Sequence, residues 1–145
     1  MSLRKITIRL VLLVTASITL SQCAITQDVK PAGLSSDVKR ISVVRNSKVH
    51  MEGLQGEIAS QLRGMGYTVS VVDVPPAGNG HYLTFTANWG WDMAMWLKYF
   101  HADLHRGPTV VGSATYDART GGNGFNKFGK TADKIRPLLK QLVGK

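Results

Sequence analysis

The chain has 145 residues, a formal net charge of +9 and 43% hydrophobic residues, a composition typical of a folded domain. A chain of this length predicts one domain. Its single cysteine excludes a framework of intramolecular disulfides.

Residues 1–22 are predicted to be a signal peptide. Arg4, Lys5 and Arg9 form a basic start, and an apolar run follows from Leu10 to Leu20. This run is shorter than the about 20 residues that a membrane-spanning helix needs. The sequence therefore indicates export.

The end of this leader, Leu20-Ser21-Gln22-Cys23, resembles the lipobox of bacterial lipoproteins, although Gln22 stands where that family has Gly, Ala or Ser. The resemblance implies cleavage before Cys23, with acylation of its thiol and of the new amine. Two or more acyl chains anchor a protein stably. Ala24 replaces the Asp that retains such lipoproteins in the inner membrane, so the resemblance implies an outer-membrane protein, most simply facing the periplasm. Two alternatives remain open: a secretory leader cut after Ser21, and an uncleaved anchor.

The charge of the exported part bears on its partners. Without the leader, fifteen Lys and Arg stand against nine Asp and Glu, a net charge of +6. For an exported protein this favours another envelope protein, anionic lipid or cell wall over nucleic acid, although a basic surface also simply promotes solubility.

Residues 23–37 are polar, rich in Pro, Gly and Ser, and without a period, which predicts a flexible tether before a single domain over residues 38–145. The domain starts with a strand over residues 39–45 and a helix with apolar residues at Met51, Leu54, Ile58, Leu62 and Met65. A strand over residues 67–72 follows, so these elements predict a right-handed βαβ unit.

A three-strand meander is predicted over residues 81–118. A turn at Asp92-Met93 would set Trp89 opposite Trp96, Phe85 opposite Phe100 and Leu83 opposite Ala102. Lys98 is then out of place on the apolar side. In the third strand, Val110, Gly112, Ala114 and Tyr116 share a face, and the small pair Gly112 and Ala114 would let a helix approach closely.

The last helix carries an apolar stripe and a basic outer face. The stripe consists of Phe128, Ala132, Ile135, Leu139 and Leu142, and Lys127, Lys130, Lys134 and Lys140 lie outside it. Pro137 predicts a kink or the true start of this helix, with Asp133 as a cap.

These elements predict an α/β (α+β) fold, β-α-β-β-β-β-α, with one mostly antiparallel sheet and two helices packed on it. With Leu62-x-x-x-Gly66-Tyr67, the W-x-W-D at Trp89 to Asp92 and the closing helix, this order resembles the CsgG-like and TolB N-terminal-like domains of small Gram-negative envelope lipoproteins. Several such families have no assigned function. The resemblance implies fold and location and no catalytic residue.

The hairpin tip is the candidate contact site. Trp91, Met93 and Met95 lie beyond the sheet, and Trp and Met are enriched at partner and lipid contacts. The alternative is that the aromatic residues here cover the open end of the core.

The sequence favours neither catalysis nor a bound metal or cofactor. It has no G-x-S-x-G motif, its only thiol is the acylation site, and its acids are scattered. His101, Asp103 and His105 share one strand face, but their spacing is wide for one ion, and a solvated polar face is the simpler interpretation. We therefore predict a non-catalytic binding or adaptor module in an envelope assembly. The alternative is a carrier of a lipid or small apolar ligand, which requires a cavity.

Overall fold

A mixed six-stranded sheet with two helices forms the protein. The computed structural model describes residues 25–120 and 125–145, and of Phe125 the backbone alone. The strands, in the spatial order β1-β6-β5-β4-β2-β3, are β1 (Thr26–Lys30), β2 (Arg40–Val44), β3 (Thr68–Val72), β4 (His81–Asp92), β5 (Ala94–Arg106) and β6 (Thr109–Asp117). The helices are α1 (Leu54–Gly64) and α2 (Thr131–Val143), and a short 3-10 helix spans Phe125–Lys127. The predicted α/β fold is confirmed.

The predicted βαβ unit is present at one end of the sheet. β2 and β3 are parallel, with Ile41 opposite Val69. Helix α1 begins at Leu54 and not at Met51, and buries Ile58 and Leu62 against the sheet. The chain then reverses through Gly66, whose φ of 94° is open to glycine and strained for other residues. β2 also pairs in parallel with β4, which joins this unit to the meander.

Away from the turn, the β4–β5 hairpin keeps the predicted faces but not the predicted partners. Nearer the turn, Trp89 lies opposite the buried Leu97 and not opposite Trp96, so the prediction for this pair is wrong. Leu83 lies opposite Leu104 and Phe85 opposite Ala102, a shift of two residues from the expected alignment. The ladder changes register between Asn88 and Trp89 on β4, where Lys98 of β5 has no partner. Lys98 is therefore the extra residue of a β-bulge, which accounts for its irregular place in the pattern.

A second bulge corrects the prediction for β6. Its ladder with β5 pairs Leu104 with Gly112 and His105 with Val110, so Val111 is the extra residue. Gly112, Ala114 and Tyr116 are buried as predicted, whereas Val110 leaves that face and is 47% exposed.

Helix α2 covers the meander side of the sheet. It begins at Thr131 after Lys130, so the predictions of Asp133 as its cap and Pro137 as its start are wrong. Its buried residues are Ile135, Leu138, Leu139, Leu142 and Val143. The Gln61 amide of α1 donates a 2.9 Å hydrogen bond to the Ala132 carbonyl, so both helices lie on the same face of the sheet.

The segment before the first predicted strand packs on the domain, against the prediction of a flexible tether. Residues 26–30, expected in a flexible tether, form β1, which pairs antiparallel with β6 and places Val29 opposite Ala114. Helix α2 packs on β6 as predicted, but at Gly112 itself the close approach is made by Ala32: a Cβ at Gly112 would lie 2.8 Å from Ala32 atoms. The Ala32 amide donates a 2.9 Å hydrogen bond to the Leu142 carbonyl of α2. The segment is thus part of the packed domain.

Within residues 25–120 and 125–145, neither helix has the length and apolarity of a membrane span. The predicted leader and Cys23 lie outside the described residues.

Candidate contact surface at the hairpin tip

The β4–β5 hairpin projects beyond its neighbours because its strands are much longer than theirs. On one side β2 pairs only with Tyr82 and Leu83 of β4. On the other side the β5–β6 ladder reaches no farther than Tyr99 opposite Asp117. Residues 89–97 therefore form an arm beyond the main sheet.

The end of this arm presents three apolar side chains to solvent. Trp91 is 72% exposed, Met93 92% and Met95 49%. Met93 lies between the paired residues Asp92 and Ala94, and its φ of 59° is uncommon for a residue with a side chain. We call Trp91, Met93 and Met95 the hairpin tip. All three predicted contact residues thus lie together on the surface, whereas Trp96 and Leu97 below them are buried.

A buried lysine fixes the base of the tip. The Lys127 ammonium lies 2.5 Å from a carboxylate oxygen of Asp92 and 5.2 Å from the centre of the Trp96 ring. The side chain of Lys127 is only 8% exposed, so the prediction that it lies on the outer face of the last helix is wrong. Opposite charge and a ring face compensate an ammonium that has left water. The sequence pattern gave no signal for this contact, because 35 residues separate the partners.

Two contacts hold the aromatic residues of the arm in place. The Trp89 indole N–H lies 3.4 Å from the Thr131 hydroxyl at the start of α2. The Trp96 ring lies against Gly90, where an added Cβ would be 2.8 Å from it. The exposed tip therefore stands on a base that these contacts anchor.

A groove of about 520 Å³ runs beside the arm. Lys48, His50 and Met51 line one wall, and Ala87, Trp89 and Met95 are among the residues of the other. Among the described residues that line it there is no aspartate or glutamate. The groove combines apolar surface with positive charge, and it is open along its length.

The three residues of the weak metal candidate lie on the sheet face opposite the helices, as the strand period predicts. His101 Nδ1 is 2.8 Å from the Thr115 hydroxyl, and its Nε2 is 3.1 Å from Asp103. His105 Nε2 is 3.0 Å from the Thr84 hydroxyl, and its ring stacks on Tyr82 at 4.5 Å. Within the described ranges no three His, Cys, Asp or Glu side chains are arranged to hold a metal ion. These contacts build a polar sheet face.

The pKa values of several ionisable groups near this surface are shifted by their neighbours or by burial. Hydrogen bonds from Arg119 hold the pKa of Asp117 below its usual range, and the Arg119 guanidinium lies 4.5 Å from the Tyr99 ring centre. Burial lowers the pKa of Lys134 and raises that of Tyr116, over whose ring the Lys134 ammonium lies at 5.5 Å. Among their described contacts, Tyr116, Asp117 and Lys134 form no hydrogen bond with a serine, threonine or cysteine side chain that could act as a nucleophile.

No protein-family model matches the chain, and no curated protein matches it either. Solved structures do share its fold. A PelC dodecamer from Paraburkholderia phytofirmans is 18% identical, with a TM-score of 0.55 over 83% of this chain and 98% of that one. A leucine-to-methionine variant of the same dodecamer is 14% identical, with a TM-score of 0.52 over 82% and 94%. At these identities the likeness concerns the fold. The resemblance to CsgG-like and TolB N-terminal-like domains stays a prediction.

Proposed function

We propose that this protein is an outer-membrane lipoprotein, anchored through acyl chains on Cys23 and facing the periplasm, that acts by contact and not by turnover. In this proposal it is a binding or adaptor module of an envelope assembly. The observation that carries the proposal is the hairpin tip, where two residues are more than 70% exposed on an anchored arm.

The chemistry of the tip supports a contact role. Tryptophan and methionine give large contact areas per residue, and tryptophan is frequent among the residues that dominate binding energy. The only acid in the arm, residues 89–97, is Asp92, whose carboxylate is bound by Lys127. The charge is therefore compensated beside the apolar residues that a partner would cover.

We propose further that the envelope assembly contains several copies of this chain. One solved structure of similar fold is a PelC dodecamer, whose chain is covered to 98% by the alignment with this one. A domain of this shape is thus able to associate with itself, and we propose the same kind of association here.

The carrier hypothesis has less support. A carrier needs an enclosed apolar cavity, whereas the space between sheet and helices is filled by large side chains such as Phe100, Leu104 and Tyr116. The groove beside the arm is open and partly polar, which suits an extended partner better than a small apolar ligand.

A pull-down of the acylated protein from its own envelope tests the contact role. The double variant Trp91→Ala/Met93→Ala should lose the co-purifying partner and keep a free energy of unfolding within about 0.5 kcal/mol of wild type. Val74→Ala is the matched control, because Val74 is an apolar residue of the same exposure, 71%, in another loop. It should keep the partner. A double variant that retains every partner, or that melts far below wild type, contradicts the proposal.

A further inference from the structure

The outer edge of β4 is open along the arm. The Asn46 side-chain amide donates a 2.8 Å hydrogen bond to the Phe85 carbonyl, which therefore points away from β5. Because alternate residues of a strand direct their backbone groups to the same side, Ala87, Trp89 and Trp91 also present theirs at this edge. No described residue hydrogen-bonds them there. Three successive positions are thus available to another strand.

The outer edge of β3, on the same side of the sheet, is capped at one position. β3 is the last strand on that side, and the Arg63 guanidinium donates a 2.9 Å hydrogen bond to its Val69 carbonyl. Proteins commonly block exposed edges with charged groups in this way. Among the described residues, positions 87–91 of β4 have no such side-chain cap.

The opposite end of the sheet offers a strand of matching length. Among the described strands, β1 has no neighbour beyond it in the sheet, and it consists of five residues, Thr26–Lys30. Thr26, Gln27, Asp28 and Lys30 are exposed. The open stretch of β4, residues 87–91, also has five residues.

Charge favours the same match. Lys48 and His50 line the groove along the β4 edge, and none of its described lining residues is acidic. Asp28, an exposed acid, is the middle residue of β1. Lys30 is also exposed and shares a strand face with Asp28, so β1 as a whole is neutral. When β1 and residues 87–91 are aligned centre to centre, the middle position brings the acid, and not the lysine at the end of β1, closest to the basic wall of the groove.

We propose that β1 of one copy pairs with the open β4 edge of a second copy. This inference rests on the proposed assembly of copies and names its surface. Such a contact joins two different surfaces, so it repeats from copy to copy and closes into a ring when the rotation between copies permits. All copies of a ring present the same side, and Cys23, three residues before β1, would bring every anchor to that side.

The test compares acylated full-length variants in detergent by native mass spectrometry and light scattering. Ala87→Pro removes an outward-facing N–H, which a strand edge tolerates but a docking strand does not. It should give monomers with an unchanged melting point. Asp28→Lys and Lys48→Asp should each raise the dissociation constant by about tenfold, and the combined swap should restore it to within about threefold of wild type. If Ala87→Pro lowers the melting point, the charge variants alone test whether β1 pairs with the β4 edge.

The outcomes separate the two levels of the proposal. A monomeric wild type overturns the assembly of copies and this interface with it. A multi-subunit wild type whose dissociation constant is unchanged in both charge variants overturns the β1–β4 interface and leaves the assembly of copies standing. Loss of association in each single swap and its return in the combined swap supports the interface.

Discussion

Replacing Gly112 by alanine tests whether the segment before the first predicted strand is docked. Gly112 lies in β6, and an added Cβ would approach Ala32 backbone and side-chain atoms to 2.8 Å. Real Cβ atoms essentially never come this close, so residues 31–33 must move. The Ala32–Leu142 hydrogen bond of 2.9 Å then lengthens or breaks.

The expected change in the free energy of unfolding combines two destabilising contributions and one stabilising contribution. Overpacking costs about 1–3 kcal/mol, and losing one hydrogen bond costs about 1 kcal/mol. Alanine in place of glycine in a strand returns about 0.5–1 kcal/mol through the unfolded chain. We therefore expect Gly112→Ala to lower the free energy of unfolding by about 1–3 kcal/mol.

Urea denaturation measures this change, and amide hydrogen exchange locates it. The Ala32 amide should exchange faster in the variant, because its acceptor is withdrawn. Gly56→Ala is the matched control: Gly56 lies inside α1, and its added Cβ meets nothing within 4 Å. It should raise the stability by about 0.5–1 kcal/mol. A Gly112→Ala protein as stable as wild type, with an unchanged Ala32 amide, would refute the docked segment.

The remaining predictions concern the last helix, one histidine and the anchor. Leu139→Ala should cost about 2–5 kcal/mol in a urea melt because Leu139 is fully buried, whereas Lys140→Ala should stay within about 0.5 kcal/mol; equal effects would place the helix differently. Burial, with a smaller contribution from Arg106, lowers the pKa of His81 below 6.5, so the folded state binds fewer protons and stability falls as the pH drops through that value. His81→Gln should therefore lose less stability than wild type between about pH 8 and about pH 5, and identical losses would contradict this. When cells are grown with labelled fatty acid, the wild-type protein should take up the label and the Cys23→Ser variant should not. Equal labelling of the two proteins would rule out a lipoprotein.

The hairpin shows how far the sequence alone reaches. Alternation of apolar residues correctly predicted the core face of β4 and β5 away from the turn, with Leu83 and Phe85 beside Ala102 and Leu104, but nearer the turn it put Trp96 in the place that the buried Leu97 takes opposite Trp89. It could not predict their partners, because a tight turn with Met93 alone between paired residues and a bulge at Lys98 occur together. Each of these features alone would exchange the two faces of β5, and together they restore them with a shift of two residues. The misplaced Lys98 was the available signal of a bulge.

The tether was mispredicted for a different reason. β1 contains one aliphatic residue, Val29, and so lacks the alternation that marks a half-buried strand. Its pairing comes from the open edge of β6 and from the space above Gly112, both of which exist only after the domain has folded. Local pattern cannot report a strand that is stabilised by tertiary contacts.

The candidate site combines a predictable part with an unpredictable one. The tip was predictable because a long hairpin between short neighbours must project, and its turn contains Trp and Met. The contact that anchors the tip was not predictable, because Lys127 comes from a segment that the helical pattern placed on the surface. An ammonium is buried only where its charge is compensated. Asp92, at the turn end of the hairpin, supplies the opposite charge for Lys127 of the 3-10 helix. The contact of Lys127 at the base and the exposure of Met93 thus both belong to the part of β4 and β5 that extends beyond the sheet.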